Sequence, residues 1–452
     1  MTGDTPAYRL HELPYQADPI PRLESVRALG APVLLDSADR RNQLGRYSIL
    51  CAGPLLQIID DQPAAQVQQH LRAALQQLGP ARWPGDLRLP FGAGLVGYLA
   101  YDYGRQLESL PCLARHDIAL PDLSFGLYDW SVVSDHQLQR CWLVCHPQVP
   151  SAREQALLRQ LDSNAAPRQA FSLCEPFAAE QGKAQYAEAF ARVQDYIHAG
   201  DCYQINLAQR FSSRYQGDPL SAYCALRERG PTPFSAYLEM AGGTLLSLSP
   251  ERFIEVQNGR VETRPIKGTR PRGSSPQQDQ ALAEELQRCE KDRAENLMIV
   301  DLLRNDLGRS CEPGSIRVPE LFSLESYPNV HHLVSSITGR LRSDSDTIDL
   351  LMRAFPGGSI TGAPKIRAMQ IIEELEPVRR SLYCGSVGYL GCEGQMDFDI
   401  AIRSLVCHEG SIYCWGGGGV VADSELDAEY QETLTKVGNL LDALQPGHDS
   451  YT

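Results

Sequence analysis

The sequence predicts an α+β protein built on large, mainly antiparallel β-sheets. Short apolar runs recur along it: VLLD, YSILC, LLQIID, GAGLVGYLAYDYG, WSVVS and CWLVC all read as strands. Helical patterns are fewer and do not alternate with these runs as βαβ units would, which argues against a Rossmann wheel or a TIM barrel. An Asn258–Gly259 pair between two apolar runs is a hairpin signal, and hairpins join antiparallel strands.

The elements follow in order. Apolar spacing predicts a helix over Gln66–Leu78 and a short one over Arg153–Leu161. The second lies in a proline-rich seam at 146–183, which divides an N-terminal region (1–150) from a second region (183–446). After the seam, Tyr186, Phe190, Val193 and Ile197 mark a helix over Gln185–Ala199 that stops at Gly200. DCYQINLAQRF reads as a strand, and TLLSLSPERFIEVQNGRVETRPIKGT as two strands around the hairpin turn. Gln277–Asp306 reads as one long helix. SLYCGSVGYLG, MDFDIAIRSLVCH and SIYCWGGGGVVA read as strands, and Ser424–Leu444 as a final helix.

The chain has 452 residues and a net charge of −14, so nucleic acid and anionic membranes are poor partners. No stretch approaches the roughly 18 apolar residues of a membrane span, and the N-terminus has no apolar signal core. The 13 cysteines lack disulfide-framework spacing, which points to a reducing cytoplasm. Cys141, Cys145 and His146 lack the second pair a zinc site needs.

RPIKGTR (264–270) gathers three cations in this acidic chain. It reads as a tight turn. One reading is a solvated basic loop. The other is a reactive Lys267, whose neutral amine is favoured by a dry pocket and by Arg264 and Arg270 beside it. Two helices carry acids three residues apart: Asp292 with Glu295, and Glu429 with Glu432. Each pair shares a helix face, and four such carboxylates suit Mg²⁺; solvated acids are the plainer reading. Lys436 follows Glu432 by one turn, as an ion pair or a substrate-binding cation. PGGSITGAPK leads into a helix starting at Thr361 or Ala363, whose free amides would hold an anion. Gly416–Gly419 leave backbone bare for close approach. Arg403, amid apolar residues, needs an anion: a substrate carboxylate, or an internal acid such as Asp397 or Asp399. Glu251 and His332 carry no signal by themselves.

Assembled in order, SPERF, PIKGTR, DRAENLMIVDLLRND, HHLVS, GSITGAPK, YCGSVGYLG, FDIAIRS, GGGGVVADS and EYQETLTKV resemble the chorismate-utilising enzymes over about residues 185–445. VLLDSA at 33–38 resembles the first region of the anthranilate and aminodeoxychorismate synthases. The lysine of PIKGT typifies the aminodeoxychorismate branch, where the anthranilate branch has alanine. The isochorismate and salicylate branches carry a different, water-activating lysine at the position of Gln204.

The resemblance implies a sandwich of two sheets with helices outside and the active site between them. It implies a synthase that converts chorismate and ammonia to 4-amino-4-deoxychorismate, on the route to p-aminobenzoate and folate. Lys267 would be the covalent nucleophile, Glu251 the general acid, and His332 a support for the ring. Glu295 and Glu432 would hold Mg²⁺, with Asp292 and Glu429 behind them. Thr269, Gly417, Gly419 and Lys436 would meet the ring carboxylate, and Tyr383 and Arg403 the enolpyruvyl carboxylate. A separate glutamine amidotransferase subunit would supply ammonia. Ser37, Pro233 and Phe234 mark a candidate aromatic amino-acid pocket. There Asp36, Gly230, Thr232 and Phe234 depart from the tryptophan-inhibited pattern. The rival readings are anthranilate synthase component I and a non-catalytic regulatory subunit that binds chorismate or tryptophan.

Overall fold

Neighbouring residues on the central strands are buried in opposite directions. Val33, Ile49, Leu245 and Val406 enter one hydrophobic core. Their neighbours Leu34, Leu50, Leu246 and Leu405 enter another. Strand side chains alternate faces, so this sheet is covered on both. That is why VLLD and YSILC read as unbroken apolar runs rather than as alternating ones.

The computed structural model describes residues 5–40, 43–60, 62–163, 168–327 and 330–445. Residues 1–4 and 446, at the limits of the two regions read from sequence, and 164–167 in the seam lie outside the described residues. Among the described residues there are two large antiparallel sheets, of 13 and 10 strands. Along the main path of the first run Arg9–Leu13, Arg140–Cys145, Trp130–Asp135, Tyr47–Cys51, Val33–Asp36, Phe234–Met240, Gly243–Ser249, Ser404–His408, Ser411–Val420, Gln204–Gln216 and Ala178–Ala179. The second runs Ile266–Pro271, Val330–Arg340, Arg260–Thr263, Arg252–Gln257, Met396–Asp399, Ser386–Gly391, Gly94–Leu99, Leu123–Tyr128 and Leu56–Ile59. Both sheets take strands from either side of the seam, joined where Leu34 pairs with Tyr237 and where Tyr98 pairs with Val387. One core fills the space between the sheets, with Leu245, Val406 and Trp415 from the first and Phe125, Phe253 and Phe398 from the second. Helices Ile20–Val26, Pro219–Arg229 and Leu426–Leu444 cover the outer face of the first sheet. No helix among the described residues is long and apolar enough to cross a membrane.

The helix at Ala64–Leu78, the helix ending at Gly200 (φ 81°) and the Asn258–Gly259 hairpin (φ 51° and 74°) stand where the sequence puts them. Five local readings change. TLLSLSPERFIEVQNGRVETRPIKGT is more than two strands: Gly243–Ser249 lies in the first sheet, and Arg252–Gln257, Arg260–Thr263 and Ile266–Pro271 lie in the second. Gln277–Asp306 is not one helix: the extended backbone of Cys289 breaks it into Pro276–Arg288 and Glu290–Gly308. MDFDIAIRSLVCH is not one strand either. Met396–Asp399 lies in the second sheet and Ser404–His408 in the first, and Arg403 makes the crossing with φ 51°. RPIKGTR is not a turn: from Ile266 on it belongs to the strand Ile266–Pro271, bulged between Lys267 and Thr269 at Gly268 (φ 77°). The glycine-rich loop starts no helix at Thr361 or Ala363. Gly362–Ala363 pair with Gln204–Ile205, and the helix begins at Lys365. Strands Arg9–Leu13 and Leu123–Tyr128 and helix Ile20–Val26 go unread in the sequence analysis because their apolar patterns are short or interrupted.

Candidate active site

The Gly268 bulge sets the position of Lys267. A Cβ on Gly268 would come within 2.8 Å of Leu286 and 2.9 Å of Asp292, so only glycine lets the two helices close over this strand. Lys267 Nζ donates to the carbonyl of Ser359 at 2.8 Å. Its side chain is partly exposed. Burial pushes its pKa down, Glu251 and Glu295 pull it back up, and Lys436 adds to the depression. The flanking arginines play no part in this. Arg264 binds Glu320 and Glu325, and Arg270 binds Glu285 and Asp292. Dry surroundings and Lys436, not Arg264 and Arg270, favour the neutral amine.

Glu251 is buried and accepts a hydrogen bond on Oε1 from Ser359 Oγ at 2.8 Å. Burial raises its pKa, against the opposing pull of Lys267 and the Ser359 bond. A carboxyl group whose pKa is raised thus shares Ser359 with an amine whose pKa is lowered, the directions that favour proton donation by the one and nucleophilic attack by the other. Ser359 touches both and was missed from sequence, where its loop was read for backbone amides. Thr269 Oγ1 bonds His332 Nδ1 at 2.9 Å. His332 is buried, and its pKa is pushed down to about 4 by burial and then by the nearby charge of Arg403, so its imidazole is neutral.

The four acids come from two elements. Asp292 and Glu295 lie on Glu290–Gly308, and Glu429 and Glu432 on Leu426–Leu444. The second helix lies against the glycine strand. A Cβ on Gly416 would meet Thr433 O at 2.3 Å, and one on Gly418 would meet Glu429 Oε2 at 2.9 Å and Glu432 Oε1 at 3.4 Å. Gly416 and Gly418 therefore admit this helix, while a Cβ on Gly417 or Gly419 would meet Tyr383 or Gln204. Glu429 accepts from Ser424 on Oε1 at 2.7 Å, while its buried Oε2 has no hydrogen-bond partner. Burial raises Glu295, with Asp292 and Glu429 adding repulsion, and burial with the charge of Glu432 raises Glu429. Burial also disfavours the charge on Glu432, but Lys436 at 2.6 Å prevails and holds its pKa down. With Glu432 turned to Lys436 and Asp292 to Arg270, no three His, Cys, Asp or Glu side chains among the described residues converge closely enough to enclose an ion. The donors are nonetheless all carboxylate oxygens. The orphaned Oε2 and the mutual repulsion are what a hard divalent cation would relieve, so the residues fit Mg²⁺ in chemistry.

Further polar groups lie beside these acids. Gly417 pairs with Ala208 and Gly419 with Asn206. Ala208 and Asn206 direct their amides elsewhere, to Glu376 Oε1 and Thr361 O. These are therefore non-hydrogen-bonded pairs, and Gly417 and Gly419 turn their own amides to the opposite edge. Ser404–His408 covers that edge only as far as Cys414. Lys436 Nζ reaches the same edge and donates to Gly417 O at 2.9 Å. Tyr383 stacks on Trp415 with centroids 6.0 Å apart, and its hydroxyl would lie 2.9 Å from a Cβ on Gly417. Arg403 has no carboxylate partner among the described residues. Arg252 takes Asp397 with two bonds of 2.9 Å, and Asp399 accepts from the Val387 amide, so neither internal acid is its partner. Burial alone lowers the pKa of Arg403. Gln204 reaches Gly419, where a Cβ would come within 2.1 Å of its Nε2, and its buried Oε1 is unpartnered.

Ser37, Pro233 and Phe234 gather elsewhere, around a cavity of about 560 Å³. Ser37 Oγ donates to Tyr47 O at 2.5 Å and lies 3.3 Å from Pro233 O. The Arg252 guanidinium sits 5.3 Å from the centre of the Phe234 ring. Asp36 is bound by Arg227, Tyr223 and Ser48.

Known proteins carry the same arrangement of sequence. Residues 31–442 match the family described as chorismate binding enzyme. Aminodeoxychorismate synthase component 1 of Salmonella typhimurium is 47% identical over 431 residues, covering 91% of this chain and 93% of that protein. Anthranilate synthase component 1 of Thermus thermophilus is 40% identical over 430 residues, covering 92% and 93%. The crystal structure of anthranilate synthase component I from Streptococcus pneumoniae superposes with a TM-score of 0.77 at 30% identity, covering 88% of this chain and 92% of that one. With the match running through both sheets and every motif around the site, this chain belongs to the chorismate binding enzymes.

Proposed function

We propose that this chain converts chorismate and ammonia to 4-amino-4-deoxychorismate, the precursor of p-aminobenzoate and folate. The observation that carries this reading is Lys267 beside Glu251, both bonded to Ser359. The anthranilate branch has alanine in place of that lysine. The higher identity to the Salmonella aminodeoxychorismate synthase than to the Thermus anthranilate synthase supports the same choice.

Arg403 and Tyr383 bind the enolpyruvyl carboxylate. The amides of Gly417 and Gly419, with Thr269 and Lys436, receive the ring carboxylate. Glu295 and Glu432 would hold Mg²⁺, backed by Asp292 and Glu429; when bound it neutralises the ring carboxylate. Lys267 Nζ attacks ring C2 with its lone pair. The ring double bonds shift, and the C4–O bond breaks as Glu251 gives its proton to the departing hydroxyl, which leaves as water. Ammonia then adds at C4, the C2–N bond breaks to release Lys267, and the new amine returns a proton to Glu251. Gln204 offers an amide beside Gly419 rather than a base for water. His332 supports the ring as a neutral imidazole. The pyruvyl group stays on the product. Ammonia comes from a separate glutamine amidotransferase subunit, a reading supported by the "component 1" name of the Salmonella relative. The cysteine pattern supports a cytoplasmic location.

The test is mass spectrometry of products from purified protein with chorismate, Mg²⁺ and ammonium. Aminodeoxychorismate without pyruvate is expected. Anthranilate with pyruvate would overturn the reading.

A further inference from the structure

Ser359 contacts both reacting groups through different atoms. Its hydroxyl donates to Glu251 Oε1 and its carbonyl accepts from Lys267 Nζ, each at 2.8 Å. The Ile266 backbone N–H also donates to this carboxyl, so the acid's one proton is confined to the lone-pair positions that these two donors leave. A neutral amine has two N–H bonds and one lone pair. Committing one N–H to the Ser359 carbonyl restricts where the lone pair points.

The loop that carries Ser359 is itself held. Thr361 Oγ1 donates back to Gly357 O and Gly358 O at 3.2 and 3.3 Å. The fully buried Arg380 donates to Ile360 O at 3.1 Å and is clamped by Glu376. A Cβ on Gly357 or Gly358 would lie 2.6 Å from Ile400 or Leu302, so the loop is packed against helix Glu290–Gly308 and the segment that follows strand Met396–Asp399. A rigid support of this kind preorganises the groups it touches.

We infer that Ser359 is a positioning residue for the reaction proposed above, directing the proton of Glu251 to the departing oxygen and the lone pair of Lys267 to the ring. The inference rests on that reading of the reaction. It deepens the role of the SITGAPK loop, which grips the two reacting groups rather than an anion.

The experiment measures steady-state kinetics with chorismate, Mg²⁺ and ammonium for wild type, Ser359→Ala, and the isosteric pair Ser359→Thr and Ser359→Val. Loss of a hydrogen bond to the acid is expected to lower kcat about ten-fold in the Ala and Val variants, with KM for chorismate rising much less. Ser359→Thr recovers most of that loss, because it restores the hydroxyl. The donated bond favours the ionised acid, so its removal moves the pH limb set by Glu251 upward. Equal kcat in wild type, Ala and Val, or a Thr variant as slow as Val, would overturn the inference, as would a loss confined to KM with an unmoved limb. Anthranilate from the wild type would overturn the reaction instead, and the variant-to-wild-type ratios would still be read on that product.

Discussion

Two polar regions lie between the same two sheets, and they differ in how their charges are satisfied. Around the one lined by Ser37, Pro233 and Phe234, Arg252 is paired with Asp397, Arg46 with Asp135, and Asp36 with Arg227. Around Lys267, and among the described residues, Arg403 has no carboxylate, Glu429 Oε2 has no donor, and the Gly417 and Gly419 amides face an edge that Ser404–His408 does not cover. Burying charge without a partner is expensive, so a fold keeps such groups where a ligand will meet them. The paired charges of the first region help hold the sandwich together, whereas the unpaired ones of the second are groups that a charged ligand would satisfy.

Substitutions in the two regions should therefore diverge. Lys267→Ala is expected to cut product formation on the order of 10³-fold or more, because the covalent path is gone. Mass spectrometry of the products checks it, and a variant turning over at the wild-type rate would make the lysine a bystander.

Glu251→Gln comes next, with a fall in kcat of roughly 10²–10³-fold. It also carries a stability signature. The folded-state pKa of Glu251 lies above its ordinary value of 4.5. The stability tied to this group is thus present below 4.5 and lost as pH rises through the raised value. Above that window the Gln variant should melt at a higher temperature than wild type, which a pH series of thermal melts would reveal.

The arginines offer the sharpest contrast. Arg252→Ala leaves Asp397 buried and unpaired, and should lower stability by about 3–5 kcal/mol without changing turnover per folded molecule. Arg403→Ala removes a cation that has no carboxylate partner, and should leave stability intact while raising KM for chorismate about 10²-fold. Denaturant unfolding and kinetics on both variants decide the matter, and equal stability losses would erase the distinction between the regions.

The smallest effect concerns His332. Its pKa lies at about 4 against an ordinary 6.5. The unfolded chain binds that proton first on acidification, so the associated stability is complete above 6.5 and is lost as pH falls through about 4. Its ring resonances in NMR should stay constant between pH 8 and about 5, where an unperturbed histidine titrates.

Much of the site was legible in the chain. Acid pairs three residues apart, an arginine in an apolar run and four consecutive glycines each state a local requirement of charge or space. Ser359 was not legible, because a serine hydroxyl in a glycine-rich loop has no local signature and its partners lie 92 and 108 positions away. Arg264 and Arg270 misled for the same reason. They neighbour Lys267 in sequence, but their partners are Glu320, Glu325, Glu285 and Asp292.

The sequence by itself determined the α+β class, the main strands, the Asn258–Gly259 hairpin and the residue types around the site, because periodicity, turn chemistry and side-chain type are local properties. Only the tertiary structure decided that MDFDIAIRSLVCH crosses from one sheet to the other at Arg403, that helix 290–308 starts afresh after Cys289, that RPIKGTR bulges instead of turning, and which charges find partners. Those outcomes depend on what packs opposite, and packing partners are chosen by the whole fold through burial and charge compensation, not by neighbours along the chain.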